Sequence, residues 1–352
     1  MRRTRLGGAT NKRVNEVKHY LLPFILLLVA VASAQDQQLR IGEVEFYGAA
    51  GVDLEKIRAA LPFREGDTIS KETGAQKFEQ AKQAIKQLTG RTPTEIAPIC
   101  CDNHGGLIVF IGLSGQPMRY SLAPKGKARF PASVNKLYDE WWNTLKEGIR
   151  QGASEEDWSQ GYALSKSYSP LRAIQLRVRA YALRHDALIR RVLETSTDND
   201  QRAKAAELLG YARSSDSQLT ALVRACRDSN GDVRNNATRA LVVLVVSKPE
   251  LARRIQPGVF IEMLMSGTWT DVNKSSGLLA DLTHSRDPQL LAELRRPAII
   301  ERLVEMARWR TGHANSARLI LGRIAGIDET RLLQLVAAGQ VDQIINALHP
   351  TR

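Results

Sequence analysis

Aromatic side chains are scarce: Phe, Trp and Tyr make up only 6% of the 352 residues, while Ala, Leu and Arg are plentiful. That mixture leans away from a strand-rich chain and toward helix. Cysteine is scarcer still, with three residues, an odd number that a closed disulfide framework cannot use up. No GxxxxGK phosphate loop, HExxH pair or GxSxG elbow occurs. This leaves out P-loop nucleotide chemistry, zincin-type hydrolysis and the α/β-hydrolase nucleophile. After residue 34 no apolar run is long enough to span a bilayer.

What is present bounds the rest. The apolar fraction of 43% supports a substantial core and suggests two units. The formal charge is +13. Six cations against Glu16 put +5 of it into the first 34 residues, leaving +8 for the remainder. Arginines at helical spacing usually form a solvated face, so this surplus is weak support for nucleic-acid binding.

The N-terminus is built in three parts. A basic segment ends at Lys18 and His19, the apolar run LLPFILLLVAVASA follows to Ala34, and polar QDQQ comes next. The run closes on the small residues Ala32, Ser33 and Ala34. We expect residues 1–34 to be a secretory signal peptide cleaved after Ala34, leaving a periplasmic or secreted protein. The alternative is an uncleaved N-terminal membrane anchor.

Residues 38–115 read as a small α+β unit. LRIGEVEFYG alternates as a strand and ends at Gly48. Asp53 starts a short helix that Pro62 stops, and FREGDTIS forms a loop. Ser70 caps a longer helix ending at Gly90. TEIAPICC and LIVFIGL are two strands joined by the turn DNHGG. Cys100 and Cys101 are neighbours and should point to opposite faces of a strand, so they are expected as separate thiols beside a turn. With His104 they match no closed metal-ligand spacing, and Cys226 lies far away in a helix. The strand–helix–helix–strand–strand order, with IGEVEFYG, FREGDTIS and GGLIVFIGL, resembles a POTRA domain. The resemblance implies partner capture at an open sheet edge. One departure is the run into Ser114-Gly115, where the family often has an acidic residue; a downstream barrel is also missing.

Residues 116–133, with Pro117, Pro124, Gly126 and Pro131, read as a linker. Its Lys125, Lys127 and Arg129 offer at most a weak peripheral contact with an anionic membrane. Residues 134–352 read as helical. SVNKLYDEWWNTLKEGI sets Trp141 and Trp142 on a bulky apolar face that is core rather than a ligand platform, and SEEDW reads as a capped helix start at Ser154.

A repeat then emerges. From Asp232, Arg234, Ala237 and Leu241 follow at +2, +5 and +9; from Asp200, Arg202, Ala205 and Leu209 follow at the same offsets. Weaker copies start at Tyr168, Asp271 and Gly312, giving spacings of 32, 32, 39 and 41 residues. The acid is expected to cap a helix, the arginine to pair between repeats, the small residue to admit a neighbouring helix, and the leucine to fill the shared core. DNDQRAKAAELLG and DSNGDVRNNATRAL look like HEAT-type repeats, close to those of phycobilin lyase families. The likeness covers Ser167 to about Gly326. It implies an α-solenoid with a protein-binding surface, preceded by the POTRA-like unit, in a mainly α chain.

No catalytic residue, cofactor or metal ligand is assigned. His185 and Asp186 adjoin on one helix, and His284 and His313 are isolated. Asn236-Ala237-Thr238 matches a glycosylation acceptor but falls inside a helix. The expected function is a non-enzymatic scaffold of the bacterial cell envelope that binds protein partners. One alternative is an enzyme, or enzyme subunit, with a site in the solenoid groove. Another is a nucleic-acid-binding basic solenoid, against which export argues.

Overall fold

A computed structural model describes residues 38–153 and 155–348. The expected signal segment, residues 1–34, lies outside them, as does Ser154. The chain is mainly helical, with a small mixed sheet near its N-terminal end.

Strand β1 (Leu39–Tyr47) is followed by helix α1 (Leu54–Ala60), a two-residue strand β2 (Thr68–Ile69), helix α2 (Lys71–Thr89), and strands β3 (Glu95–Cys100) and β4 (Leu107–Gly112). The sheet order is β2-β1-β4-β3, with β1 parallel to β4 and β3 antiparallel to it. Local chemistry sets the helix ends. Asp53 Oδ1 accepts from Lys56 N, Ser70 and Thr73 form a reciprocal capping box, and Gly90 ends α2 with φ of 72°. Strand β2 lies inside the stretch expected to be a loop. It pairs Leu39 with Ile69 and Arg40 with Thr68.

Every residue of β4 is buried. Val109 and Ile111 face α1 and α2 in one cluster with Val44, Phe46, Ile57 and Ile85. Ile108 and Phe110 face the other way, into the core of the helical part. There Phe110 stacks on Trp269, with centroids 3.5 Å apart, and meets Trp309 edge-on at 5.1 Å. The backbones also approach closely: a methyl group on Gly115 would fall 2.1 Å from Gly267 N. The sheet is therefore a middle layer between its own helices and the helical stack.

Residues 116–131 run back across that stack. Gln116 N donates to Met265 O, Ser121 N to Arg227 O, and Phe130 N to Gln201 Oε1. Thr197 N donates to Gly126 O. Helix α3 (Ala132–Arg150) then packs on the long helix α4 (Ser169–Thr195), which breaks helical geometry at His185. The stretch SEEDW does not start a helix. Glu156–Asp157 is strand β5, paired with β6 (Leu164–Ser165) in a hairpin. Side chains override the local capping signal here: Arg239 Nη2 grips both oxygens of Glu156, at 2.7 and 2.8 Å, and Trp158 is buried.

Helices α5 (Asn199–Gly210), α6 (Asp216–Ala225), α7 (Gly231–Ser247), α8 (Gly258–Leu264), α9 (Trp269–Leu282), α10 (Pro288–Leu294), α11 (Pro297–Ala307) and α12 (Ala314–Ile324) follow. Two short helices, α13 (Glu329–Ala337) and α14 (Val341–Asn346), end the described chain. Helices α4, α5, α7, α9 and α12 stack in that order, and α6, α8 and α11 flank α7, α9 and α12.

Phe110→Ala removes the ring that joins sheet to stack and is expected to cost about 3–5 kcal/mol of unfolding free energy. Guanidinium denaturation checks this. A loss below about 1 kcal/mol would show that the sheet layer does not depend on the aromatic junction.

Candidate binding cleft at the sheet–helix junction

The repeat positions are placed as follows. Ala205, Leu209, Ala237 and Leu241 are fully buried between stacked helices. Asp200 and Asp232 are not the caps expected of them. Asp198 and Asn230 hold that position, each accepting from two backbone N–H groups, while Asp200 and Asp232 sit inside the first turn. A carboxylate there still favours the positive end of the helix dipole, which is why the offset looked like a cap.

The two arginines form ion pairs between neighbouring parts of the helical stack. Arg202 Nε and Nη2 donate to the two oxygens of Asp228 at 2.7 and 2.8 Å, and Nη1 donates to Ser196 O. Arg234 Nε and Nη2 donate to Asp271 at 2.8 Å each, and Nη1 donates to Asp228 O. Asp228 therefore serves both clasps. At the next step Asn273 on α9 meets His313 Nδ1 at 3.1 Å. Tyr120, from the returning strap, covers the Arg234 guanidinium at 4.9 Å.

Other expected residues are scattered. His185 stacks on Tyr181, Asp186 pairs with Arg190, and His284 lies 3.7 Å from Glu329. Trp141 is core, as expected, and Trp142 packs beside it. Asn236 is buried, with Nδ2 donating to Ala203 O. Cys226 is a buried free thiol whose pKa burial pushes up to about 12. The expectation for Cys100 and Cys101 is corrected. The two are paired as a disulfide. Among the described residues no three His, Cys, Asp or Glu side chains converge as a metal site.

Residues that belong to no sequence motif meet where the sheet joins α11. The Glu305 carboxylate accepts from Gly48 N at 2.8 Å and Ala49 N at 2.7 Å. Gly48 has φ of 71°, so the turn after β1 presents both N–H groups together. Trp309 Nε1 donates to Phe46 O at 2.8 Å, and Arg310 pairs with Glu45 and Glu65. Beside these contacts opens a cleft of about 590 Å³. Phe46, Met265 and Trp309 give it an apolar wall, and Arg302 lies against it.

Arg302 is 5% exposed. Its Nη2 donates to Ser114 O at 3.3 Å, and its Nη1 makes no hydrogen bond. The nearest carboxylate oxygen, Glu305 Oε2, stands 3.7 Å away and already accepts from Gly48 N, while Oε1 accepts from Ala49 N. Burial lowers the pKa of Arg302 and raises that of Glu305. The arrangement is a half-compensated buried cation, with an unused donor at Nη1, next to an apolar wall.

No protein-family model matches the chain, and no curated protein is significantly similar to it.

Two outcomes test these contacts. Asp271→Ala strands the buried Arg234 and is expected to cost about 3–5 kcal/mol, while Arg234→Met with Asp271→Leu recovers most of that. Chemical denaturation of the two variants decides. The second concerns pH. Burial, reinforced by Lys274, holds His313 down at about 4. Between pH 4 and 6.5 the unfolded chain therefore binds the proton first, and stability rises with pH across that window. His313→Gln should flatten the rise, by up to about 3 kcal/mol, in urea titrations at stepped pH.

Proposed function

We propose that this chain is a non-enzymatic protein-binding scaffold of the bacterial cell envelope. In this reading residues 38–115 act as a POTRA-like unit and the helices as a HEAT-like solenoid. The parallel β1–β4 pair with two helices on one face supports the first assignment. The stacked helices joined by Arg202–Asp228 and Arg234–Asp271 support the second. The basic, apolar and small-residue segments before residue 35 support export.

The observation that carries the proposal is the cleft at the junction with its buried Arg302. The sheet edges are less suited to recognition. At β1, Val44 N donates to Glu65 and Val44 O accepts from Arg58, while Trp309 occupies Phe46 O. At β3, Pro98 lacks the N–H that an added strand needs. Recognition in this proposal therefore belongs to the cleft and to the surface of the helical stack.

A photo-crosslinking residue at Ala298, on the cleft, and another at Lys71, on the distant start of α2, test this in cells carrying the full-length chain. One discrete envelope protein trapped from position 298 alone is the expected result, with the yield falling about tenfold in Arg302→Gln. Circular dichroism controls for folding of that variant. Identical adducts from both positions, or a chain recovered in the cytoplasm on nucleic acid, would sink the proposal.

A further inference from the structure

The first helix of the stack presents an apolar row to solvent. Ala173, Leu176, Ala180 and Leu183 follow one another on α4 at steps of three, four and three. All four are exposed, Leu176 at 45% and Leu183 at 43%. The row resumes at exposed Ala187 after the break at His185 and ends on Glu194. The opposite face of α4, with Ile174, Val178, Ala182, Ile189 and Val192, is fully buried. The exposed leucines are therefore surplus to the core. A stack of repeats needs a polar outer face on its terminal helix to stay soluble. This helix has alternating Ala and Leu there instead, the spacing of a seam that receives another helix.

Charge selects the occupant. Arg177, Arg184 and Arg191 recur every seven residues along one side of the row. Arg177 pairs with Glu140 of α3. Arg184 and Arg191 are exposed and have no ion-pair partner among the described residues. On the other side Arg172 and Arg179 are drawn inward, to Ser165 O and to Tyr211 O with the Tyr162 ring, and Asp186 is neutralised by Arg190. A second copy of this chain would bring arginine rows together. Residues 1–34 carry +5 and suffer the same repulsion.

We infer that the exposed face of α4 is a docking seam for an acidic amphipathic helix of a partner protein. The alanines at 173 and 180 admit the incoming helix closely, the leucines at 176 and 183 pack between its apolar residues, and Arg184 and Arg191 meet its flanking carboxylates. This seam is separate from the cleft on α11. Crosslinking from Ala298 and binding on α4 therefore succeed or fail independently.

The test uses the full-length chain and a fluorescent synthetic helix of about three heptads, with Leu at the seam positions and Glu beside them. Anisotropy should show saturable binding that weakens with salt. Leu176→Glu with Leu183→Glu should lower affinity at least about tenfold, and Arg184→Glu with Arg191→Glu should do likewise while favouring the same helix with Lys in place of Glu. These are surface changes, and unaltered circular dichroism and melting verify that the fold is intact. Three results would overturn the inference: peptide binding that ignores all four substitutions; a dimer of the chain that Leu183→Glu splits; or co-sedimentation with phosphatidylserine vesicles that depends on the leucines, without peptide binding.

Discussion

A strand made only of apolar residues has to be covered on both faces, and the architecture follows from how β4 meets that demand. Val109 and Ile111 are covered locally by α1 and α2. Ile108 and Phe110 share the other face with Tyr47, Ala97 and Ile99, and Phe110 is covered there by Trp269 of α9 and by Trp309 just past α11, far along the chain. The aromatic junction buries several large rings with Tyr47, and each contributes on the order of 2–3 kcal/mol through area alone. Polar contacts then fix the orientation that the apolar contact leaves open. Glu305 reads the turn at Gly48 and Ala49, while Trp309 reads the end of β1.

The same docking explains the path of the segment after the sheet. Having met the turn before α9 at Gly267, the chain must return to the first helix of the stack to begin α3 and α4. Residues 116–131 make that return across the corners of successive helix pairs, bonding to Met265, Arg227, Thr197 and Gln201 in turn. Each bond satisfies a backbone or cap group at a helix corner. The strap thereby holds the stack together from outside, as the Arg202 and Arg234 clasps do from within. Tyr120 links the two devices by covering Arg234.

The sequence made the local elements legible because their signals are local. The caps at Asp53 and Ser70, the stop at Pro62 and the turn at Gly90 lie within a residue or two of where they act. The repeat spacing likewise marked Ala205, Ala237, Leu209 and Leu241 as buried and Arg202 and Arg234 as joining groups. It erred at Asp200 and Asp232, because a first-turn acid and a capping residue look alike when two residues apart. Longer-range effects were not legible. SEEDW has a helix-start pattern, but Arg239, more than eighty residues on, holds Glu156 in a hairpin. Arg302 and Glu305 belong to no motif, since their role comes from a contact with Gly48 across some 250 residues. One unread signal was available: LIVFIGL has no polar residue, and a strand with one solvated face would alternate.

Joining sheet and stack at α9 and α11 also has a consequence for binding. The cleft exists only because two parts of the chain meet, one wall coming from β1 and its turn and the other from α11. Arg302 can remain partly uncompensated there because its neighbours fix it from both sides: Ser114 follows the sheet, Glu305 is held by the turn, and the Tyr47 ring lies 5.7 Å from the guanidinium. Such a group keeps a favourable interaction in reserve for an incoming acceptor, with little rearrangement needed when one arrives. The α4 seam, at the other end of the stack, has no such preorganised group and relies on its exposed leucines and its charges. The two surfaces thus use the fold differently: one exploits the junction between layers, the other the exposed end of the helical stack.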